Sequence, residues 1–370
     1  LYVGGGTANL TPPDALEHLF GALAAAFDLT HAEVTLEGVP AYFLSRGGAS
    51  LDVLDRALPA RHRRLSMGVQ TFDRAMLRRM GRTHFGDRAV IAEVVERAHA
   101  RGWTVSCDLL INLPGQDLEA MLRDVRAAVS LGFDQVCVYH LVLHEGMGTA
   151  WARDLDMLEA LPHADRALAS WAAVREDLLG SGFVQATLTN FERADVHASP
   201  RRFVYEECSF RPERYDGVGF GPSGISCFTD LEHRTALKVV SAPSAATYQE
   251  AMNDGEEAYD LAFAYDETDL RLLHLTRQLA RLAADRVSYA ATFGADLVDD
   301  HAPAITALRA AGLVDVDANA LRLTPRGMFH ADSVAGLLAW RRVEALRRAQ
   351  GRRHRLPRWP LDDAAPQFMG

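Results

Sequence analysis

Five short polar groups recur along the first part of the chain, each at the end of an apolar, often β-branched run. Gly4, Gly5, Gly6 and Thr7 follow "LYV". Glu37 closes "AEVTLEG" (32–38), and Gln70 closes "RLSMGVQ" (64–70). Asp108 and Asn112 lie in "TVSCDLLINLP" (104–114); Tyr139, His140, His144 and Glu145 end or follow "QVCVYHLVL" (135–143). Each group has a plain reading and a chemical one. Three glycines are most often a turn; as a site, they let main-chain N–H groups and the Thr7 hydroxyl approach an anionic or polar ligand. The spacing is not G-x-G-x-x-G and the P-loop Lys is absent, which disfavours dinucleotides and triphosphates. Glu37 is a solvated carboxylate or a partner for the two hydroxyls of a ribose. Gln70, Arg82 and Asp108 are a polar network, or they offer an amide, a cation for a carboxylate and an anion for an ammonium group. An amino acid carrying a nucleoside would satisfy that inventory. His84, His140 and His144 lack metal-ligand spacing, and a His at a site mouth is a candidate acid or base. His140, His144 and Glu145 are the catalytic candidates, with Glu206 beside them on the substrate side.

These residues need elements that bring them to one place. Helical patterns at 13–28, 51–58, 72–80, 88–101, 117–131 and 163–180 alternate with the apolar runs, without hairpin signals. That alternation predicts parallel strands joined by crossover helices, with every carboxyl strand end at one mouth. A weaker run, "FVQATLTNF" (183–191), reads as a sixth strand. The texture changes near residue 200: "YDGVGFGPSGISCF" (215–228) is a glycine-rich stretch that invites close backbone approach to a ligand. Beyond 265 the chain turns helical, and helix, strand, turn and strand near 303–323 form a winged-helix-like pattern. The expected division is a barrel at 1–195, a connecting segment at 196–260, a winged-helix-like domain at 261–340 and a basic tail at 341–370.

Composition narrows the class. With 370 residues, 48% hydrophobic and 24% charged, the chain reads as a globular protein able to bury a large core. A net charge of -10 and the lack of a basic recognition helix argue against nucleic acid. No apolar run reaches the ~20 residues of a membrane span, so no membrane partner is expected. Cys107, Cys137, Cys208 and Cys227 are few and unpaired in spacing, which suits a reducing cytoplasm and gives no metal motif.

Taken in order, "VGGGTANL", "VTLEGVP", "LSMGVQTFDRAMLRRMGRTH", "CDLLINLPGQDLE", "VCVYHLVLHEGMGTA" and "GVGFGPSGIS" resemble the radical S-adenosylmethionine (SAM) enzymes of the oxygen-independent coproporphyrinogen dehydrogenase family. That family, HemN- and HemW-like, includes heme chaperones and class C methyltransferases. The resemblance covers about residues 1–340. It implies an α/β fold, a partial (β/α)6 barrel followed by a helical, winged-helix-like part. It implies that Gly4 meets the SAM bound to a 4Fe–4S cluster, with Glu37 on the ribose and Ile225 packed against the same SAM, and Gly6 counts with the cofactor-binding residues. Gly5, Thr7, Gln70, Arg82, Asp108 and His140 resemble the lining of a second SAM site, although the dehydrogenase carries a small residue where this chain has His140.

In that family a C-x-x-x-C-x-x-C triad holds the cluster, and SAM reduced there supplies a 5′-deoxyadenosyl radical. An electron donor such as a flavodoxin or ferredoxin is then implied. The triad is absent from these 370 residues. The start inside a glycine motif, without Met, reads as a fragment lacking one βα unit, with the cluster cysteines expected upstream; no metal ligand is expected in this chain. Among branches, "VYEECSFRPERYD" points first to a class C methyltransferase using two SAM molecules on a natural-product intermediate. Porphyrinogen decarboxylation comes next and heme trafficking third. A rival of another class is a non-catalytic binding protein on a degenerate barrel.

Overall fold

In the computed structural model, which describes residues 1–144, 147 and 149–349, the apolar runs become strands and the patterns between them helices. Glu145 and the expected tail from 350 onward lie outside the described residues. Two units separate, Leu1–Tyr205 and the chain from Glu206 onward, and each is described by itself.

The first unit runs β1 (Tyr2–Val3), α1 (Pro13–Ala26), β2 (Glu33–Gly38), α2 (Pro40–Phe43), α3 (Ala49–Ala57), β3 (His62–Gln70), α4 (Arg74–Arg79) and α5 (Arg88–Ala100). It continues through β4 (Thr104–Ile111), α6 (Leu118–Ser130), β5 (Gln135–His140), α7 (Leu155–Glu159), α8 (Ala164–Gly180), β6 (Phe183–Gln185), β7 (Asn190–Arg193) and α9 (Ala194–His197). Strands β1 to β5 are parallel neighbours in sequence order, as the strand–helix alternation requires. Acidic caps start the helices that leave the strand ends. Asp73 accepts from Ala75 and Met76, Asp87 from Ala89 and Val90, and Asp117 from Ala120.

The expected sixth parallel strand does not form. Residues 183–193 fold into a hairpin instead, with β7 antiparallel to both β5 and β6. A four-residue turn built on Thr187 and Asn190 reverses the chain: the Ala186 amide donates to the Asn190 carbonyl, and the Thr187 hydroxyl oxygen accepts from the Asn190 side chain.

Register sorts the sheet into two unlike faces. Val34, Leu36, Leu65, Met67, Val105, Cys107, Val136 and Val138 share one face and are buried, and α5 and α6 pack against β4. The other face carries Tyr2, Thr35, Arg64 and Thr104 in one row and Glu37, Ser66, Ser106 and Gln135 in the next. Asp108, Cys137 and Asn190 make a third row. A buried polar face must satisfy its own hydrogen bonds, so this row structure prepares a polar interior.

The second unit opens near α10 (Tyr205–Ser209), which straddles the division. Its first part is an antiparallel sheet of β8 (Ile225–Asp230), β9 (Thr235–Ser241) and β10 (Tyr259–Tyr265), with α11 (Ala245–Asp254) before β10. The rest comprises α12 (Glu267–Ala280), β11 (Ala283–Asp285), α13 (Arg286–Phe293), α14 (Leu297–Asp300), α15 (Ala302–Ala310), β12 (Val314–Val316), β13 (Ala320–Leu323), α16 (Pro325–Phe329) and α17 (Ala331–Ala349). Helix α15 and the β12–β13 hairpin realise the helix–strand–turn–strand pattern, and β11 adds a third strand beside β13.

Candidate functional site

The glycine stretch leaves β1 with Gly5 and Gly6 both at positive φ (85 and 63), where a side chain would be strained. Asn9 then pins the turn to the end of β2, donating to the Val39 carbonyl at 2.9 Å and accepting from its amide at 3.1 Å. This clamp sets Gly4 beside Glu37. A methyl group on Gly4 would stand 2.5 Å from Glu37 Oε2 and 2.7 Å from the Tyr2 ring, so the carboxylate occupies the space the glycine leaves. Thr7 sits half-buried at the head of the same turn.

At the end of β3, Gln70 takes φ 71, a left-handed conformation unusual for a residue with a side chain. Buried Asp124 of α6 fixes the next two residues, accepting from the Thr71 hydroxyl at 2.6 Å and the Phe72 amide at 2.8 Å. Gly68 completes the arrangement: a methyl there would lie 3.0 Å from Gln70 Nε2 and 4.0 Å from the Arg82 guanidinium. Arg82 is half-buried over the Phe85 ring, at 5.2 Å, and pairs with no carboxylate among the described residues. Burial alone pushes its guanidinium below the usual range. A desolvated cation without a counter-ion is a site for a ligand carboxylate.

On β4, Asp108 is half-buried and electrostatically coupled to Tyr2 and Arg64. Past the strand end, Asn112 donates through Nδ2 to His140 Nδ1 at 3.0 Å. His144 is exposed in the loop beyond β5, His84 is exposed before α5, and Ile225 is 55% exposed at the start of β8 in the second unit. Glu206 belongs to α10.

Below this rim lies a network centred on Arg64, only 3% exposed. Its Nε donates to Gln135 Oε1 at 2.9 Å; Gln135 and the Cys137 thiol both donate to Asn190 Oδ1, at 2.7 and 2.6 Å. The Phe203 ring covers the guanidinium at 4.0 Å. Burial opposes the Arg64 charge, yet Cys137, Tyr2, Glu33 and Asp108 outweigh it and hold the group above its ordinary range. Burial pushes the Tyr2 phenol well up as well. Arg64 and Tyr2 were not among the site residues expected from sequence; their alternation with Ser66 and Gly4 on otherwise apolar runs is the signal that points inward.

The cysteines do not fit an iron–sulfur cluster. Cys107 and Cys137 are buried and their positions fall on opposite faces of the sheet, while Cys208 and Cys227 lie in the second unit. Among the described residues no three His, Cys, Asp or Glu side chains converge as a metal requires. Among the same residues no helix is long and apolar enough to cross a membrane.

A parallel α/β sheet with polar groups gathered at its carboxyl strand ends is the architecture of a radical SAM domain, and residues 1–128 match the Radical SAM superfamily. Residues 285–330 match the HemN C-terminal domain, so the chain carries a radical SAM domain followed by a HemN-type C-terminal domain. The heme chaperone HemW of Lactococcus lactis subsp. lactis is 30% identical over 226 residues, 60% of this chain and 56% of the chaperone, so the chain spans about half of that relative's length. The oxygen-independent coproporphyrinogen III oxidase of Synechocystis sp. is 25% identical over 91% of this chain and 72% of its own. The structure of coproporphyrinogen III oxidase (HemN) from Escherichia coli shares the fold, with a TM-score of 0.73 at 21% identity over 90% of this chain and 76% of that one.

Proposed function

We propose that this chain holds SAM at the carboxyl ends of its parallel strands and serves a radical SAM enzyme acting on a porphyrin-type small molecule. The observation that carries the reading is Arg82, a half-buried guanidinium with no carboxylate of its own among the described residues, beside Gln70 and Gly68. In this reading Arg82 takes the carboxylate of a SAM molecule and Asp108 its ammonium group. Gln70 and Thr7 add hydrogen bonds to that molecule. Gly4 and Glu37 form the wall for a ribose, and Gly5 and Gly6 supply backbone amides. In this reading the chain's own part is to bind and orient SAM and to exclude water. The relatives' names, heme chaperone and coproporphyrinogen oxidase, favour a tetrapyrrole as the substrate class.

A second reading, methyl transfer with a second SAM as donor, is favoured by one feature. The stretch "VYEECSFRPERYD" resembles the class C methyltransferases.

Calorimetric titration of the chain with S-adenosylhomocysteine tests the binding assignment. Saturable binding is expected, with Arg82→Gln weakening it about tenfold or more, since a charge-assisted hydrogen bond is worth about 1.5–3 kcal/mol. Absence of binding, or equal affinity in the variant, overturns the reading.

A further inference from the structure

Asn112 is completely buried, and it lies just past β4 with φ 59. A turn alone would explain an Asn there, because its short polar side chain tolerates the left-handed region. The side chain does more than that. Its Nδ2 lies 3.0 Å from His140 Nδ1 and 3.2 Å from the Ala167 carbonyl oxygen of α8. A carbonyl can only accept, so the amide nitrogen must be the atom that faces Ala167. The same NH2 group therefore donates to the imidazole, and His140 Nδ1 must accept. Both amide hydrogens are spent on these two acceptors, and the Asn112 Oδ1 atom is left buried without a partner. A flipped amide would set two oxygens face to face at Ala167, so the orphaned oxygen is the lesser cost.

A neutral imidazole has one proton. With Nδ1 accepting, that proton resides on Nε2, and protonating Nδ1 would oppose it to the amide hydrogens. We infer that Asn112 is a positioning residue that fixes His140 as an Nε2–H donor. Where a ligand reaches that Nε2–H, the atom it presents is an acceptor, such as a carboxylate oxygen. Two sources carry such a group under the function proposed above, the amino-acid end of SAM and an acid side chain of a porphyrin-type substrate. The inference rests on that function only for the ligand; the tautomer stands on the geometry alone.

Histidine ring 15N NMR on the labelled chain, with His140→Gln assigning the resonance, tests both parts. Wild-type His140 is expected in the Nε2–H form. Asn112→Asp replaces the donor with an acceptor and is expected to switch the ring to Nδ1–H. Asn112→Gly suits the positive φ without strain, so it keeps the fold and is expected to release the ring into a mixture. Wild-type His140 in the Nδ1–H form, or an unchanged ring signature in Asn112→Gly, overturns the inference. S-adenosylhomocysteine and coproporphyrin are then titrated separately. A shift of the His140 Nε2 resonance with the first assigns the cofactor carboxylate, and with the second the substrate carboxylate. If both bind and neither moves it, the donor role falls. Failure of S-adenosylhomocysteine to bind in calorimetry counts against the SAM reading and leaves the tautomer result decisive for Asn112.

Discussion

Arg64 lies in β3 and Arg82 in the turn after α4, yet their surroundings give them opposite work. Arg64 is enclosed by groups that hold its charge and bonded to Gln135, so it braces the sheet interior; Arg82 has an aromatic ring beneath it and pairs with no acid among the described residues. The sequence run Arg61-His62-Arg63-Arg64 hides this difference, because four basic residues together read as a solvated turn. Strand alternation separates them. Arg63 reaches back to the Leu54 carbonyl at 3.0 Å, while His62 and Arg64 are buried on the polar face. His62 shows the consequence most directly. Burial, with Arg201, Arg61 and Arg64 nearby, pushes its imidazole down to about 4, and its Nε2 lies 2.8 Å from Thr104 Oγ1. As pH falls from the ordinary value near 6.5, the unfolded chain takes up a proton that the folded chain refuses until about pH 4. Stability from this residue is thus intact above pH 6.5 and is lost progressively below it, by roughly 3 kcal/mol in all. Urea unfolding of wild type and His62→Gln from pH 7.5 to 4.5 should show the gap moving in the variant's favour by about 2–3 kcal/mol. A gap that stays constant across that range removes the account.

Strand ends bear the candidate residues, and helices set the strand ends. Asp124 is the clearest case, a carboxylate of α6 that holds the chain as it leaves β3 and so determines where Gln70 points. Replacing it by Ala leaves the Thr71 hydroxyl and the Phe72 amide without their acceptor. The expected loss is about 2–3 kcal/mol in chemical unfolding, with Asp124→Asn losing less because one oxygen remains. An Asp124→Ala variant as stable as wild type would show that the contact positions nothing. The five parallel strands were legible because each is an apolar run closed by polar or glycine residues, with capped helices after β3 and β4. The β6–β7 hairpin was not, since its turn uses Thr and Asn, and short strands keep the same alternation on both sides of it. The β8–β10 sheet was equally hidden. "TALKVVS" and "YDLAFAY" leave Leu237, Leu261 and Phe263 more than two-fifths exposed, so no clean inside–outside pattern marked them. Among the candidate site residues, the strand-end positions of the glycines, Glu37 and Gln70 could be read from where each apolar run closes, while the ligand roles given to them and to Arg82 come from the resemblance. The coupling of Asn112 to His140 could not, because it joins two strand ends through a side-chain orientation that no local pattern encodes.

At the scale of the whole molecule, binding and redox chemistry come apart. The strand-end groups that would take the amino acid and ribose of SAM all belong to the first unit, whereas the cysteines have a different logic. A cluster ligand must be a thiolate, and a buried thiol is a poor source of one. Burial, with Asp108 and Asp124 nearby, drives Cys107 well above the ordinary range; burial also raises Cys227. The Cys137 thiol is engaged as a donor to Asn190. Unfolding the sheet would be needed to gather Cys107 and Cys137 around one metal, and the packing of Val105, Leu109, Val136 and Val138 opposes that. Anaerobic reconstitution of these 370 residues with iron and sulfide should therefore yield far less than one four-iron cluster per chain, measured as protein-bound iron and acid-labile sulfide. The same preparation should bind S-adenosylhomocysteine with the Arg82 dependence described above, because the carboxylate site needs no metal. A stoichiometric cluster would show that cysteines separated in this fold can be recruited. Binding that appeared only with iron present would place the carboxylate on the metal and take it away from Arg82.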